Sequence, residues 1–372
     1  MAAYDYLPLE RVIFARPAAE AAAEEAARIG AQRVFVVSSK TLSRKTKEIS
    51  RIRDGLAAKY CGLFDECVAH TPWPSVLAAA DAVRAAKPDL ILTVGGGTPI
   101  DTVKILQIAL AHGVSSIEGL EKLRTATQPS PVRQVVVPTT LSGAEFSNIG
   151  GGTDLRTRIK HSFSGADVGA RSVILDPALT LHTPQWLWLS TGVRGIDHAV
   201  EALCSIEANA YCDGLALHAL RLFATGLLHT KNSPEDLEAR LACQQASWLA
   251  ASTIGRVPYG ASHGIGHALG AAANVPHGHT SCVMLPHVMR YNLGVTREKQ
   301  ARIAEALGGP AADAVERLVA ELGQPATLRA VGVKREQIPF IADAALKNRW
   351  VLSNPRPFSR EAMIGLLEGA YG

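Results

Sequence analysis

The stretch Leu90–Lys104 reads LILTVGGGTPIDTVK, an apolar run followed by three glycines and then a helical pattern. Glycines between a strand and the first turn of a helix let backbone N–H groups approach a phosphate closely, and the helix dipole favours an anion there. The spacing is neither GxGxxG nor GxxxxGK[ST], so it indicates a phosphate or dinucleotide site in general. A tight turn between strand and helix is the alternative.

Short apolar runs alternate with alanine-rich helical segments on both sides of this stretch. Strands are predicted at Arg33–Ser38, Leu90–Val94, Gln134–Pro138 and Ser172–Asp176, with a helix at Ser75–Ala86. Continuous apolar strands that alternate with helices are typical of a parallel sheet covered on both faces. A polar loop, Thr139–Asn148, follows the third of these strands, where open α/β sheets bind ligands.

The strand pattern ends after about Thr183, and helical patterns replace it. They cover Val193–Ala208, Asp213–Leu228, Pro234–Ile254, Arg297–Leu307 and Ala312–Leu322. We therefore predict an α/β, Rossmann-like dinucleotide-binding domain over residues 1–180 and an all-α domain over residues 181–372. A cleft between two such domains is a common place for a ligand site.

The composition excludes several classes of function. The chain is 47% hydrophobic and 19% charged with a net charge of +4, so neither a nucleic acid nor a membrane surface is expected as a partner. No basic segment followed by an apolar run opens the chain, and no apolar run approaches the roughly 18–20 residues that span a bilayer. Six scattered cysteines without a CxxC pair predict reduced thiols in a cytoplasmic enzyme.

Five of the twelve histidines lie between His263 and His287. His263 and His267 are four residues apart and would share one face of a helix, and His277 follows in a Pro-His-Gly turn that can fold back toward that face. This spacing predicts part of an active site. Core or interface histidines with satisfied hydrogen bonds are the alternative.

The predicted helix Val193–Ala208 adds four side chains with possible chemistry. Arg194 and His198 are four apart and share a face, whereas Asp197 and Glu201 form a neighbouring pair. One aspartate with three histidines would be a plausible site for a divalent metal. For the two carboxylates, a solvated helix face or a salt bridge is equally plausible.

At this point the chain resembles the iron-containing alcohol dehydrogenase superfamily, whose wider clan includes maleylacetate reductases and dehydroquinate synthase-like proteins. The matching stretches are GGGTPIDTVK (Gly95–Lys104), PTTLSGAEFSN (Pro138–Asn148), LDPALT (Leu175–Thr180), GIDHAVEA (Gly195–Ala202), and HGIGHALGAAANVPHG with LPHVMRYN (His263–Asn292). They occur in the family's order over most of the chain. The resemblance implies the same layout, a dinucleotide-binding α/β domain followed by a helical domain with the catalytic residues.

The resemblance also implies roles for individual residues. Cofactor contacts carry over to Gly96, Gly97, Thr98, Asp101, Thr139, Thr140, Ser142, Lys160 and Leu179. His198, His263 and His277 match three of the family's four metal ligands, and His267 matches a histidine beside the reacting carbons.

The fourth metal-ligand position departs from the family, because Arg194 stands where an aspartate is usual. A guanidinium carries a permanent charge and cannot ligate a cation. Asp197 is adjacent to His198 and would point about 100° away from it on a helix, so it is a poor substitute. We therefore expect no metal. In this respect the chain resembles the maleylacetate reductases. A three-histidine Fe²⁺ or Zn²⁺ site remains the alternative.

Ser39 is a second departure, because NAD-preferring relatives usually carry an aspartate there. An acidic side chain at this place accepts from the ribose 2′-OH and repels a 2′-phosphate. Ser39 removes that repulsion, and Lys40 or Arg44 could pair with the phosphate. We expect NADPH to be accepted, alongside NADH.

The combined expectation is an NAD(P)H-dependent reductase of a small carbonyl compound that bears a carboxylate, as in aromatic-compound catabolism, with hydride transfer in the interdomain cleft. His267 or His263 would donate the proton, Arg194 would bind the carboxylate or the developing alkoxide, and the catalytic set would include His198 and His277. Rival interpretations are a metal-dependent alcohol dehydrogenase, a dehydroquinate synthase-like lyase and a non-catalytic nucleotide binder. A homodimer is expected, with a first strand near Arg11–Ala15 pairing across a two-fold axis.

Overall fold

The structure, a computed structural model, describes residues 4–157 and 159–372. Its contacts divide the chain into two compact units, one formed by Asp5–Thr183 and the other by Tyr4 with Pro184–Gly372. None of the helices in the described residues is both long enough and apolar enough to cross a membrane.

The first unit alternates strands and helices along the chain. In order they are β1 (Arg11–Phe14), α1 (Ala18–Ile29), β2 (Val34–Ser38), α2 (Lys40–Lys45), α3 (Glu48–Leu56), β3 (Tyr60–Phe64), α4 (Trp73–Ala86), β4 (Leu90–Gly95), α5 (Gly97–Ala111), α6 (Ile117–Lys122), β5 (Arg133–Pro138), β6 (Ile149–Asp154), β7 (Ile159–Ser164) and β8 (Ala170–Leu175).

Six of these strands form a single parallel sheet in the order β1-β8-β5-β4-β2-β3, while β6 and β7 form an antiparallel hairpin. Side chains alternate between the faces of the sheet. Val34 and Val36 pack in one core with α1 and α3, whereas Phe35 and Val37 pack in a second core with α4 and α5. Both faces are therefore buried, which explains why the strands are apolar without interruption.

The parallel strands place their carboxyl ends along one edge. The connection after β2 leads outward to β3, and the connection after β4 leads the other way to β5. This reversal makes a crevice between the carboxyl ends of β2 and β4, where open α/β sheets bind their ligands.

The second unit is helical throughout its regular structure. Its helices are α7 (Gln185–Cys204), α8 (Ala210–Asn232), α9 (Leu237–Ala251), α10 (Ala261–Ala273), α11 (His277–Leu307), α12 (Ala311–Glu321), α13 (Ile338–Ala345), α14 (Arg349–Leu352) and α15 (Arg360–Gly369). Asn209 and Asp236 cap α8 and α9 through their side-chain oxygens. The predicted fold class, a Rossmann-like α/β unit followed by an all-α unit, is confirmed.

Several local predictions differ from the structure. The helix predicted over Val193–Ala208 is α7, which begins earlier, at Gln185, and ends at Cys204. His277 is the first residue of α11 after Pro276, and not part of a turn. The helix predicted over Arg297–Leu307 is confirmed, because non-helical backbone at Thr296 (φ −125°, ψ 19°) divides α11 just before it. The helix predicted from Pro234 begins at Leu237, because Asp236 provides the cap.

Candidate active site

The glycine loop after β4 packs closely against the loop after β5. A Cβ on Gly96 would lie 2.9 Å from Cγ2 of Thr140, and one on Gly97 would lie 3.2 Å from Oγ of Ser142. The loop after β5 therefore rests directly on these glycines. Since α5 begins at Gly97, its first N–H groups and its dipole provide a cradle for a phosphate.

The predicted cofactor residues of the first unit lie around this cradle. Thr139 donates its N–H to the Gly95 carbonyl (3.1 Å), and Thr140 Oγ1 donates to Ser142 Oγ (3.2 Å). Thr98, in the first turn of α5, is half-buried. The structure thus brings the glycine loop and the Thr139–Ser142 segment together, and they fit a dinucleotide.

Asp101, Lys160 and Leu179 have different surroundings. Asp101 Oδ2 accepts the backbone N–H of Gly151 (3.1 Å), which ties α5 to the β6–β7 hairpin that carries Lys160. The Lys160 side chain crosses Gly151, where a Cβ would lie 2.2 Å from Cε of Lys160. The Leu179 side chain is only 2% exposed and belongs to the core beneath the sheet, so its backbone is the part that could contact a cofactor.

Ser39 lies at the carboxyl end of β2 and caps α2, accepting the Leu42 N–H at 3.4 Å. The two neighbouring cations predicted to bind a 2′-phosphate are already paired. Lys40 contacts Glu66, and Arg44 contacts both Asp65 and Glu66. Any phosphate at this place would have to compete with those carboxylates.

In the helical unit, Glu201, His263 and His198 form a hydrogen-bonded chain. The Glu201 carboxylate accepts the backbone N–H groups of Gly260, Ser262 and His263 at 3.0, 2.8 and 3.3 Å, so a side chain of α7 caps the start of α10. It also contacts Nδ1 of His263 at 2.7 Å, and Nε2 of His263 lies 2.8 Å from Nδ1 of His198.

The hydrogen-bonded chain Glu201–His263–His198 determines which proton transfers are open to His263. Its Nδ1 donates to the carboxylate, and its Nε2 faces His198, while the residue is only 3% exposed. A proton can therefore leave or reach His263 through His198 or Glu201, and not by direct contact with a substrate. The ring of Tyr259 packs against both histidines, with centroids 4.5 Å from His263 and 5.6 Å from His198.

Arg194 and Asp197 form a second buried group on the same helix. Asp197 accepts the hydroxyls of Ser262 (2.8 Å) and Ser281 (2.6 Å), and its Oδ2 lies 3.5 Å from Nη1 of Arg194. Burial alone would raise the pKa of Asp197, but His263, Arg194 and Ser281 hold this pKa well below its ordinary value. Asp197 is therefore an anion that neutralises part of the Arg194 charge.

The Arg194 guanidinium makes few hydrogen bonds to the residues that the structure describes. Within the described part of the chain its one hydrogen bond goes from Nη1 to Ser281 Oγ (3.1 Å), although the residue is only 8% exposed. Burial lowers the pKa of Arg194, and Asp197 and Glu201 oppose that effect. Since a guanidinium has five N–H donors, the others can bind a carboxylate or an oxyanion.

His267 and His277 are the more accessible histidines. Both are half-buried, and their ring centroids lie 5.9 Å apart in an edge-to-face arrangement. Asn348 Nδ2 lies 3.3 Å from Nδ1 of His267. An amide donor at Nδ1 leaves the proton of a neutral imidazole on Nε2.

The metal ion of the family fits these residues poorly. Zinc–nitrogen bonds of about 2.0–2.1 Å in tetrahedral geometry separate two ligand nitrogens by about 3.3 Å. Nε2 of His263 and Nδ1 of His198 are 2.8 Å apart and share a hydrogen bond. Asp197, Glu201 and His263 do place ligand atoms within 4.8 Å of one another. However, both carboxylates already accept several hydrogen bonds, and the Arg194 cation lies beside them.

Two contributions were not visible in the sequence pattern. Sequence patterns do not distinguish Glu201 from Asp197, yet Glu201 caps α10 and orients His263. Lys104 is fully buried and donates to the carbonyls of Ala144 (2.5 Å) and Ile149 (2.9 Å) and to Ser147 Oγ (3.1 Å), which fixes the loop after β5. The sequence feature that could have indicated this role is the position of Lys104 in the helical pattern after the glycines.

Comparisons with known proteins identify the family of the chain. Residues 9–177 match the family model for iron-containing alcohol dehydrogenase, and residues 188–371 match the model for the C-terminal part of that family. Dehydrogenase ALT3 from Alternaria alternata is 34% identical, with 92% of this chain and 99% of the relative aligned. A maleylacetate reductase from Burkholderia cepacia is 31% identical, covering 98% and 96%.

A solved structure is also similar over the full length. The crystal structure of maleylacetate reductase from Agrobacterium tumefaciens superposes with a TM-score of 0.85 at 28% identity, covering 99% of this chain and 97% of that one. Together with the two matching models, these relatives show that the protein is an NAD(P)-dependent oxidoreductase, and that it belongs to the iron-containing alcohol dehydrogenase family.

Proposed function

We propose that the protein is an NAD(P)H-dependent reductase of a small carbonyl compound that carries a carboxylate, similar to the maleylacetate reductases, and that it works without a metal ion. The observation that carries this proposal is Arg194, a buried cation beside the histidines whose one hydrogen bond within the described residues goes to Ser281 Oγ. A cation in this place matches an anionic substrate, and it would repel Fe²⁺ or Zn²⁺.

The first unit would hold the nicotinamide cofactor, which supplies hydride when bound. The N–H groups at the start of α5 would receive the diphosphate. Thr139, Thr140 and Ser142 would lie toward the nicotinamide, with Lys104 holding their loop in place. NADPH would be accepted alongside NADH.

The second unit would bind the substrate and supply the proton that its reduction requires. Arg194 would pair with the substrate carboxylate or stabilise the negative charge that develops on the carbonyl oxygen as hydride arrives. His267, half-buried with its proton on Nε2, would be the direct donor. His263, which is hydrogen-bonded to both Glu201 and His198, would form with His198 a path that returns a proton to the site.

A matched pair of substrates tests this proposal. The protein is mixed with NADPH or NADH and a panel of oxo acids that includes maleylacetate, each beside its methyl ester, and oxidation of the cofactor is followed by absorbance. We expect the acids to be reduced far faster than the esters. Equal rates for acid and ester, or turnover of simple uncharged aldehydes alone, would contradict the proposal.

A further inference from the structure

Glu66 is the centre of a charged group at the carboxyl ends of β2 and β3. Its Oε2 pairs with Nζ of Lys40 and its Oε1 lies 2.5 Å from Nη2 of Arg44. Its backbone forms an isolated antiparallel bridge with Ser39. The Glu66 carboxylate is thereby held beside Ser39, although the two residues are far apart in the sequence.

The sheet places this group at the crevice where a dinucleotide would lie. Ser39 follows β2, which is the direct neighbour of β4 and its glycine loop, and the strand connections reverse between β2 and β4. In dinucleotide-binding sheets, an acidic side chain at the end of the neighbouring strand accepts a hydrogen bond from the ribose 2′-OH. Ser39 has no charge to serve in that role.

We propose that Glu66, on the adjacent strand connection, determines the choice between NADH and NADPH. Its carboxylate would accept the 2′-OH of NADH in place of the missing acid at Ser39, and it would compete with the 2′-phosphate of NADPH for Lys40 and Arg44. This inference rests on the proposed use of a nicotinamide cofactor. If Glu66 has this role, the two cations beside Ser39 would not by themselves make the site selective for NADPH.

The ion pairs are exposed enough to be exchanged. About half of each side chain is accessible, 48% for Glu66, 54% for Lys40 and 55% for Arg44. Arg44 also pairs with Asp65, whose carboxylate lies 2.9 Å from Nε of Arg44. The Asp65 side chain is mostly buried. Exposed pairs of this kind are weak and are screened by salt. A phosphate dianion can therefore displace Glu66, so both cofactors bind.

The test compares Glu66→Gln with the parent protein. Dissociation constants for NADPH and NADH are measured by fluorescence titration, and kcat/KM is measured for both cofactors with an accepted oxo acid. Loss of one unit charge a few ångströms from the phosphate should raise the NADPH:NADH preference about fivefold or more. The double variant Lys40→Gln, Arg44→Gln should move the preference in the opposite direction. Added salt should reduce both effects.

Glu24→Gln is the matched control, because Glu24 is also an exposed carboxylate of the same unit, paired with Arg16 at 2.7 Å. It should leave the preference unchanged. If Glu66→Gln changes the preference no more than this control does, Glu66 is not the determinant and the inference is overturned, while the proposed function stands. If the parent binds neither cofactor, the proposed function is wrong and the inference fails with it.

Discussion

Arg194 is the residue on which the substrate assignment depends. Arg194→Ala should lower kcat/KM for an oxo acid roughly ten- to hundredfold, because a hydrogen bond between charged groups is worth about 1.5–3 kcal/mol. The same variant should lose little activity toward the corresponding methyl ester, whose carboxylate charge is absent. Steady-state kinetics with the two substrates measures this difference.

Arg194→Lys is the matched control, since it keeps the charge but loses the planar fork of donors. It should fall between the parent and Arg194→Ala for the acid. Equal losses on acid and ester in Arg194→Ala would show that Arg194 does not bind the carboxylate, and that it acts on the developing alkoxide or on the structure around Asp197 and Ser281.

Glu145 should make the protein less stable as the pH rises. Burial raises the pKa of this carboxyl to about 7, opposed by its own backbone N–H and by Lys104. Its Oε2 accepts no hydrogen bond from the described residues. Because the folded chain holds this proton more tightly than the unfolded chain, stability falls between about pH 4.5 and pH 7.

Glu145→Gln removes that titration and keeps the shape of the side chain. The variant should be nearly as stable as the parent near pH 4.5, and should become more stable than it above about pH 7, by up to about 3 kcal/mol. Urea unfolding at several pH values measures the difference. A difference between the two proteins that does not change with pH would contradict this assignment.

Some of these residue roles were visible in the sequence and others were not. Arg194 was conspicuous because it replaces a ligand in a motif that is otherwise intact. The role of Glu201 depends on α7 lying beside the start of α10, which no local pattern specifies. Similarly, the sequence predicts that Lys40 and Arg44 are available to a phosphate. In the fold, Asp65 and Glu66 at the end of β3 lie next to them and pair with them.

At the scale of the elements, the glycine loop after β4 packs against the loop after β5, and the two loops form one continuous surface. Gly96→Ala should weaken NADPH binding about tenfold or more, because the added Cβ would lie 2.9 Å from Cγ2 of Thr140 and must displace it. Thr140→Ser removes that methyl group, so Gly96→Ala combined with Thr140→Ser should recover part of the affinity. Isothermal titration with NADPH measures all three variants.

Gly214→Ala is the control for the general effect of a helical or loop glycine, because a Cβ there meets nothing within 4 Å. It should bind NADPH as the parent does. Unchanged affinity in Gly96→Ala would mean that the cofactor does not approach this loop.

The buried strands were predicted to within a residue or two, since a sheet covered on both faces requires continuous apolar runs. The edge strand β3 and the β6–β7 hairpin were not predicted. Gly150, Gly151 and Gly152 fill the middle of β6, and they lack the branched side chains that mark a strand. At Gly152 a Cβ would lie 2.7 Å from Cδ1 of Ile105, so this position leaves little room for a larger residue.

At the scale of the whole molecule, the sequence changes from apolar strands that alternate with helices to helical patterns alone. This change predicts two units of different fold class. The contacts divide them between Thr183 and Pro184. The first strand, in contrast, pairs in parallel with β8 of its own chain, with Arg11 opposite Ser172. It lies at one edge of the sheet, so pairing across a two-fold axis would use its other edge, and a homodimer stays a prediction.

The central claim is that a reductase of this family works with a buried arginine in place of a metal ligand. Elemental analysis of protein purified without added metal, combined with NADPH-dependent reduction of maleylacetate in the presence and absence of EDTA, tests it most directly. We predict metal well below one ion per chain and turnover that EDTA does not change. One tightly bound iron or zinc ion per chain, with activity lost on chelation, would contradict it.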